Sequence, residues 1–204
     1  MSINKVQTFT IVAGTMKCNA TCPDCVSKMT TDPKDYKALN FTEVDWGNFD
    51  IATNLAMSGG ANTVLFTGKG EPTLYPEQIE VYLEKLKEPR YSQMAIKEIQ
   101  TNGMIFHDKV FQEKGWLDKW YYNNLRVMSL SVVDVEDKVN KNFYCKSGQE
   151  YPSLDKTIDM LHDKGYTVRL SVTMTKDRVD DSNDLERVIG YCNKKGVEQL
   201  SMRP

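Results

Sequence analysis

The chain has 204 residues, which is enough for one domain with a sizeable hydrophobic core. Apolar residues make up 40% of it and charged residues 26%, which is typical of a soluble globular protein. Because 26 basic side chains are balanced by 28 acidic ones, composition gives no support to a nucleic-acid-binding protein. No apolar run is long enough to cross a membrane, and the segment MSINKVQTFTIVAG does not resemble a signal peptide, so we expect no membrane partner and a cytoplasmic location.

Short β-type segments alternate with amphipathic helical segments along the whole chain. The predicted strands are Val6–Val12, Thr63–Thr67, Ile96–Thr101, Val127–Val133, Thr167–Thr173 and Val197–Met202. This alternation predicts an α/β domain over residues 1–204 with a parallel sheet, built as an open doubly wound sheet or as a partial barrel. In both architectures ligands bind at the carboxyl ends of the strands.

Three of the five cysteines lie close together, directly after the first predicted strand. Cys18, Cys22 and Cys25 have the spacing C-x3-C-x2-C. An odd cysteine count with such clustering argues against a disulfide framework. Thiolates are the usual protein ligands of iron–sulfur clusters, and three of them leave one iron of a [4Fe–4S] cluster without a protein ligand. The spacing therefore predicts one [4Fe–4S] cluster at these three residues.

Other metal sites could use the same thiols. A structural zinc ion or an electron-transfer cluster would need a fourth ligand, brought in space from His107, His162, Cys145 or Cys192. Cys145 lies in a polar segment, where a surface thiol is the simplest interpretation, and an extra ligand or hydrogen donor is the alternative. Cys192 lies on an apolar helical face and is interpreted as a core residue. For His107 a surface position and an acid–base role both remain open.

Two further motifs follow the second and third predicted strands. Gly68-Lys69-Gly70-Glu71-Pro72 comes directly after the second strand, and Thr101-Asn102-Gly103 ends the third. With the cysteine spacing, these segments resemble the radical S-adenosylmethionine (radical SAM) superfamily, which has a Gly-Gly-Glu-Pro motif and often a Thr-Asn-Gly motif at those places. The resemblance runs in order over nearly the whole chain. It implies a partial (β/α)6 TIM-like barrel.

The resemblance also implies an activity. In the superfamily, the amino and carboxylate groups of S-adenosyl-L-methionine chelate the open iron. Reductive cleavage then gives methionine and a 5′-deoxyadenosyl radical that abstracts hydrogen from a substrate. Here the substrate could be a small molecule, a peptide or a nucleotide, with an external electron donor such as flavodoxin or ferredoxin. The alternative is a non-catalytic metal or iron–sulfur module, or an inactive half of a split protein.

The resemblance further implies which residues contact S-adenosylmethionine. Glu71 and nearby carbonyls would accept hydrogen bonds from its ammonium group, and Arg169 would pair with its carboxylate or, alternatively, with a neighbouring acidic side chain. Lys141 would be either a cofactor contact or a solvated lysine. The full predicted set is Asp24, Gly68, Lys69, Gly70, Glu71, Pro72, Thr101, Asn102, Ser129, Ser131, Lys141, Arg169 and Ser171.

The chain departs from the superfamily pattern in two places. Asp24 stands where relatives often have an aromatic residue beside the adenine, which puts the adenine contact in doubt. The sequence also ends at Met202-Arg203-Pro204, directly after the sixth predicted strand, where many relatives continue. The chain could therefore be a naturally minimal enzyme, one half of a split protein or a truncation. Because an uncovered edge strand is a liability, the sequence favours a truncation or a completing partner chain at that edge.

Overall fold

Six parallel strands form one sheet. The structure is a computed structural model that describes residues 6–29, 44–176 and 178–203. The strands follow the chain in the order β1-β2-β3-β4-β5-β6, with every neighbouring pair parallel. They are β1 (Thr8–Val12), β2 (Thr63–Thr67), β3 (Ile96–Thr101), β4 (Val127–Val132), β5 (Thr167–Thr173) and β6 (Gln199–Arg203). All six predicted strands are present, three of them with the predicted bounds.

Helices occupy each connection between strands. They are α1 (Val26–Met29), α2 (Trp46–Ser58), α3 (Pro76–Lys85), α4 (Lys109–Glu113), α5 (Trp116–Tyr122), α6 (Asp137–Tyr144), α7 (Leu154–Asp163) and α8 (Ser182–Lys195). Their ends follow from local chemistry. The Asp181 side chain accepts hydrogen bonds from two backbone N–H groups at the start of α8, and Gly196 ends that helix with φ +68°.

The two faces of the sheet differ in character. Leu130 pairs with Leu170, and both are buried in the core that also holds Ile158 and Leu161 of α7. The next pair in register is Ser131 with Ser171. Since successive side chains of a strand point to opposite faces, these serines face away from the helix-covered core. The barrel therefore has an apolar outer layer under its helices and a partly polar inner face.

The sheet does not close. Within the described residues, β1 and β6 are not paired with each other, so both remain edges. This arrangement is the partial barrel that was one of the two predicted architectures. None of the described helices has the length and apolar character needed to span a membrane. A completing chain at the β6 edge stays a prediction.

Candidate functional site

A cavity of about 570 Å³ opens at the carboxyl ends of the strands. Cys18, Cys22 and Cys25 line it together with all of the segment Gly68–Pro72. The ends of β3, β4 and β6 contribute further lining residues. Cavities that hold small molecules measure about 300–1,000 Å³, so this one is large enough for a cofactor. The two motifs that are far apart in sequence therefore share one site.

The cysteine loop is the segment between β1 and α1 that carries Cys18, Cys22 and Cys25. Hydrogen bonds from three other parts of the chain hold it in place. The Gly70 and Glu71 N–H groups donate to the carbonyls of Thr15 and Lys17, each at 3.0 Å. From β3, the Asn102 side chain donates to the Asn19 side chain at 2.8 Å. From the region of α6, Thr21 N–H donates to the Tyr144 carbonyl at 2.8 Å, and the Gln149 side chain donates to the Asn19 carbonyl at 2.9 Å. The segment Thr15–Thr21, which contains Cys18 and precedes Cys22, is thus fixed to three other parts of the chain.

Gly70 is required by the approach of two loops. A Cβ atom at this position would lie 2.1 Å from the carbonyl oxygen of Lys17 and 2.7 Å from the carbonyl carbon of Met16. Gly68 is less crowded, since a Cβ there would lie 2.9 Å from the Ala13 carbonyl oxygen. Glycines let backbone groups approach closely because they have no Cβ. In the structure they make room for the cysteine loop itself.

Glu71 is buried and strongly hydrogen-bonded. Its Oε1 accepts bonds from the Thr101 hydroxyl at 2.6 Å and from the Thr73 hydroxyl and N–H at 2.6 and 3.1 Å. Its Oε2 accepts from the Asn102 N–H at 2.9 Å. Burial raises the pKa of the Glu71 carboxyl, and these hydrogen bonds oppose the rise. Glu71 therefore fixes the end of β3 against the segment Gly68–Pro72, a role that sequence reasoning did not foresee.

The surroundings of Cys18 disfavour its free thiolate. Burial, followed by the charge of Glu71 and then Cys25, raises the pKa of the Cys18 thiol, although a hydrogen bond from Ala20 N–H lowers it. A cysteine binds metal as its thiolate, so a cation at this place would supply the charge that the protein does not. The Cys18 thiolate is thus favoured when a metal cation is bound.

Eight predicted cofactor contacts line the cavity. They are Gly68, Lys69, Gly70, Glu71, Pro72, Thr101, Asn102 and Ser131. The first five follow β2, the next two stand at the end of β3, and the last is near the end of β4. Their meeting at one rim follows from parallel strands whose carboxyl ends share an edge of the sheet.

Five predicted contacts are not brought to the cavity. Asp24 is exposed in a turn outside its lining, and Lys141 pairs with Glu150 at 2.8 Å on the surface. The prediction that Arg169 reaches the rim is wrong, because its guanidinium pairs with Glu98 at 2.7 Å among the amino ends of the strands. The alternative of a neighbouring acidic partner is confirmed. The other two, Ser129 and Ser171, are buried and do not line the cavity.

The remaining candidate ligands lie elsewhere. His107 shares a hydrogen bond of 2.9 Å with the Thr157 hydroxyl, and burial lowers its pKa. Cys145 lies at the end of α6 outside the cavity lining, and Cys192 is buried on α8 as predicted. His162 lies 3.3 Å from Glu198. None of these four is among the described residues that line the cavity with Cys18, Cys22 and Cys25.

Arg203 and Tyr144 are among the lining residues that sequence reasoning missed. Arg203 ends β6 and stands at the cavity, whereas the predicted strand stopped one residue earlier. Tyr144 is the aromatic side chain in the described lining, and its ring stacks on Tyr151 with centroids 6.0 Å apart. A signal for Arg203 was present, since a long cationic side chain directly after a predicted strand faces the ligand-binding edge. The sequence offered no comparable signal for Tyr144.

Three solved structures with a similar fold each match nearly the whole chain. A radical SAM methyltransferase from Sphaerobacter thermophilus matches 95% of the chain with TM-score 0.60 and 13% identity. Methylornithine synthase (PylB) matches 98% with TM-score 0.58 and 11% identity. The chain has the radical SAM fold. A third structure is the radical SAM methyltransferase TsrM from Kitasatospora setae, solved with tryptophan and a SAM analogue, which matches 97% of the chain with TM-score 0.57 and 9% identity.

The likeness is one of architecture. This chain spans 55%, 54% and 36% of the methyltransferase from Sphaerobacter thermophilus, PylB and TsrM, respectively. No protein-family model matches the sequence, and no curated protein matches it either. The predicted radical SAM barrel is therefore confirmed as a fold, and the activity has to be argued from the site.

The donor set of the site fits an iron–sulfur cluster better than a single ion. In the described part of the chain, Cys18, Cys22 and Cys25 do not bring their sulfurs within 4.8 Å of one another as a set. A tetrahedral zinc ion with Zn–S bonds of about 2.3 Å would hold its sulfur ligands about 3.8 Å apart. At least one pair of these sulfurs is thus farther apart than a single zinc ion would hold them, and the thiols line a cavity with room for a larger group.

Proposed function

We propose that this chain is a radical SAM enzyme whose Cys18, Cys22 and Cys25 hold one [4Fe–4S] cluster. The observation that carries the proposal is the single cavity lined by these three thiols and by Gly68–Pro72. When bound, such a cluster supplies the electron that cleaves S-adenosylmethionine to methionine and a 5′-deoxyadenosyl radical, which abstracts a substrate hydrogen. The chain's own residues bind and orient the cofactor.

The segment Gly68–Pro72 is suited to a cationic group. The carbonyl oxygens of Gly68 and Gly70 accept no hydrogen bond from the described residues, because the N–H groups nearby are directed to the cysteine loop. Both glycines line the cavity, so these carbonyls are available to the ammonium of S-adenosylmethionine. The buried Glu71 holds the segment in place through its hydrogen bonds to the end of β3. Ser131 offers a hydroxyl from the opposite wall.

Arg203 is the best candidate for the carboxylate of S-adenosylmethionine. It lines the cavity at the end of β6, and no described residue forms an ion pair or hydrogen bond with its guanidinium. Arg169, in contrast, is occupied by Glu98 at the other end of the barrel. Arg203 would thus take the role that the sequence suggested for Arg169.

Arg203→Ala should weaken binding of S-adenosylmethionine about ten- to a hundredfold, since a hydrogen bond to a charged group contributes about 1.5–3 kcal/mol. Arg203→Lys should recover part of the loss because the charge is kept and the two-pronged geometry is not. Anaerobic calorimetry on cluster-loaded protein measures both affinities. Arg169→Ala is the control and should lower thermal stability while leaving the affinity unchanged. If Arg169→Ala lowers the affinity and Arg203→Ala does not, Arg169 is the residue that binds the carboxylate of S-adenosylmethionine.

The decisive experiment for the function is anaerobic reconstitution with iron and sulfide, followed by reduction with dithionite in the presence of S-adenosylmethionine. Formation of 5′-deoxyadenosine that depends on both the reductant and the cluster is the expected result. A cluster that forms but never cleaves S-adenosylmethionine would indicate the non-catalytic iron–sulfur module instead. Liquid chromatography of the quenched mixture gives the readout.

The wider setting of the enzyme is also a proposal. We infer a small-molecule, peptide or nucleotide substrate entering through the open rim, and a cytoplasmic one-electron donor such as flavodoxin or ferredoxin. The protein itself would be cytoplasmic, because free thiols that line an open cavity stay reduced in that compartment.

A further inference from the structure

We infer that Asn102 is a positioning residue for the cluster: it tethers the cysteine loop and donates an N–H to the sulfur of Cys18. The inference rests on the proposed function, since it concerns the first cluster ligand. Asn102 stands at the end of β3, between Glu71 on one side and the cysteine loop on the other. Its hydrogen bonds therefore join the end of β3 to the segment Gly68–Pro72 and to the cysteine loop.

The orientation of the Asn102 amide is fixed by its surroundings. Its Oδ1 accepts the Met104 N–H at 2.9 Å, which a side-chain NH2 could not do. Its backbone N–H donates to Glu71 Oε2 at 2.9 Å. The Nδ2 group must therefore face the cysteine loop with both of its hydrogens. The left-handed Gly103, with φ +68°, turns the chain so that Met104 can reach back to Oδ1.

Each of the two N–H bonds of Nδ2 has a partner. One donates to Asn19 Oδ1 at 2.8 Å, and the other points to Cys18 Sγ at 3.9 Å. The same sulfur accepts the Ala20 N–H at 3.4 Å. Asn19 is held in turn through its carbonyl by Gln149 at 2.9 Å. The sulfur of Cys18 thus receives two N–H groups.

These contacts have a consequence for reduction of the cluster. Hydrogen bonds to the sulfurs are among the factors that set the potential of an iron–sulfur cluster. An N–H donor stabilises the more negatively charged, reduced state and so raises the potential. Loss of the Asn102 donor should therefore make the cluster harder to reduce. The tether to Asn19 should instead affect how well the loop holds iron.

Three variants separate the two roles. Asn102→Ala removes the donor and the tether. Asn102→Asp removes the donor but can keep the tether, because the Asn19 amide can flip to donate to the new carboxylate. Asn19→Ala removes the tether and leaves the N–H of Asn102 on Cys18. Asn193→Ala, at an exposed position of α8, is the matched control for loss of an asparagine.

The measurement is a potentiometric titration of the reconstituted cluster, followed by electron paramagnetic resonance, with iron content and apo-protein melting recorded in parallel. Asn102→Ala and Asn102→Asp should shift the midpoint potential by up to about 59 mV to more negative values, which corresponds to a tenfold change in the equilibrium constant for reduction. Asn19→Ala should lower iron content and leave the potential of the assembled cluster near that of the wild type. Asn193→Ala should change neither.

The outcomes distinguish this inference from the proposed function. If wild-type protein holds the cluster and cleaves S-adenosylmethionine while both Asn102 variants keep the wild-type potential, the donor role is wrong and the function stands. Lower iron content with an unchanged potential would make Asn102 a structural residue only. If the wild type itself holds no cluster, the proposed function fails and the inference fails with it.

Discussion

Replacing Cys18, Cys22 or Cys25 with alanine should abolish the bound iron and the visible absorption of the reconstituted protein. Each thiol lines the same cavity, and no described histidine or further cysteine lies there to substitute for a lost ligand. The loss should be complete in each variant, because a cluster with only two protein ligands has two open irons. Iron analysis and absorption spectra of anaerobically prepared protein measure the effect.

Two other cysteines supply the controls for that experiment. Cys145→Ala should keep the cluster, since Cys145 packs at the edge of the small apolar group around Tyr144 and does not line the cavity. Cys192→Ala should keep it too, at some cost in stability, because the side chain is buried in α8. Loss of iron in Cys145→Ala would show that the cluster has a fourth cysteine ligand. Stoichiometric zinc without iron in the wild type would overturn the cluster itself.

The architecture could be predicted because its signals are local. Alternating short β-type and helical segments set the strand number, and parallel strands with helical crossovers leave few topologies. The carboxyl ends of such strands share one edge, so the segments after β1, β2 and β3 had to meet. The three cysteines and the segment Gly68–Pro72 accordingly line one cavity. A choice between an open sheet and a partial barrel needed the family resemblance.

Arg169 lies outside the cavity because of its depth along its strand. Arg169 is the third residue of β5, which ends at Thr173, and four residues of a strand span about 13 Å. Its side chain therefore meets Glu98 near the amino ends instead of the rim. The predicted bounds of β5 already contained this information. Side-chain alternation identifies the inner face but does not tell how near a residue lies to the rim.

Two further roles depend on contacts between segments that are distant in sequence. Glu71 bonds Thr101 and Asn102, about thirty residues away, and Gly70 accommodates the backbone of Lys17. A motif suggests which residues matter for a ligand. Only the packed structure tells that some of these residues act by holding one loop against another.

Gly70→Ala should therefore prevent cluster assembly without touching any thiol. The added Cβ would lie 2.1 Å from the Lys17 carbonyl oxygen and 2.7 Å from the carbonyl carbons of Lys17 and Met16. All of these are backbone atoms, so no side chain can turn away to relieve the contact. The cysteine loop would have to move, with loss of the hydrogen bonds from Gly70 and Glu71 N–H to that loop. Overpacking of this kind costs about 1–3 kcal/mol, and each lost hydrogen bond about 0.5–1.5 kcal/mol.

Iron content after reconstitution should fall at least tenfold in Gly70→Ala, and the melting temperature of the apo protein should drop. Gly190→Ala is the matched control, because nothing lies within 4 Å of a Cβ at that helical position. It should keep full iron and gain up to about 1 kcal/mol of stability from better helix propensity. Gly68→Ala, with its nearest contact at 2.9 Å, should fall between the two. If Gly70→Ala assembles a normal cluster at wild-type stability, the close approach of the two loops is not what positions Cys18.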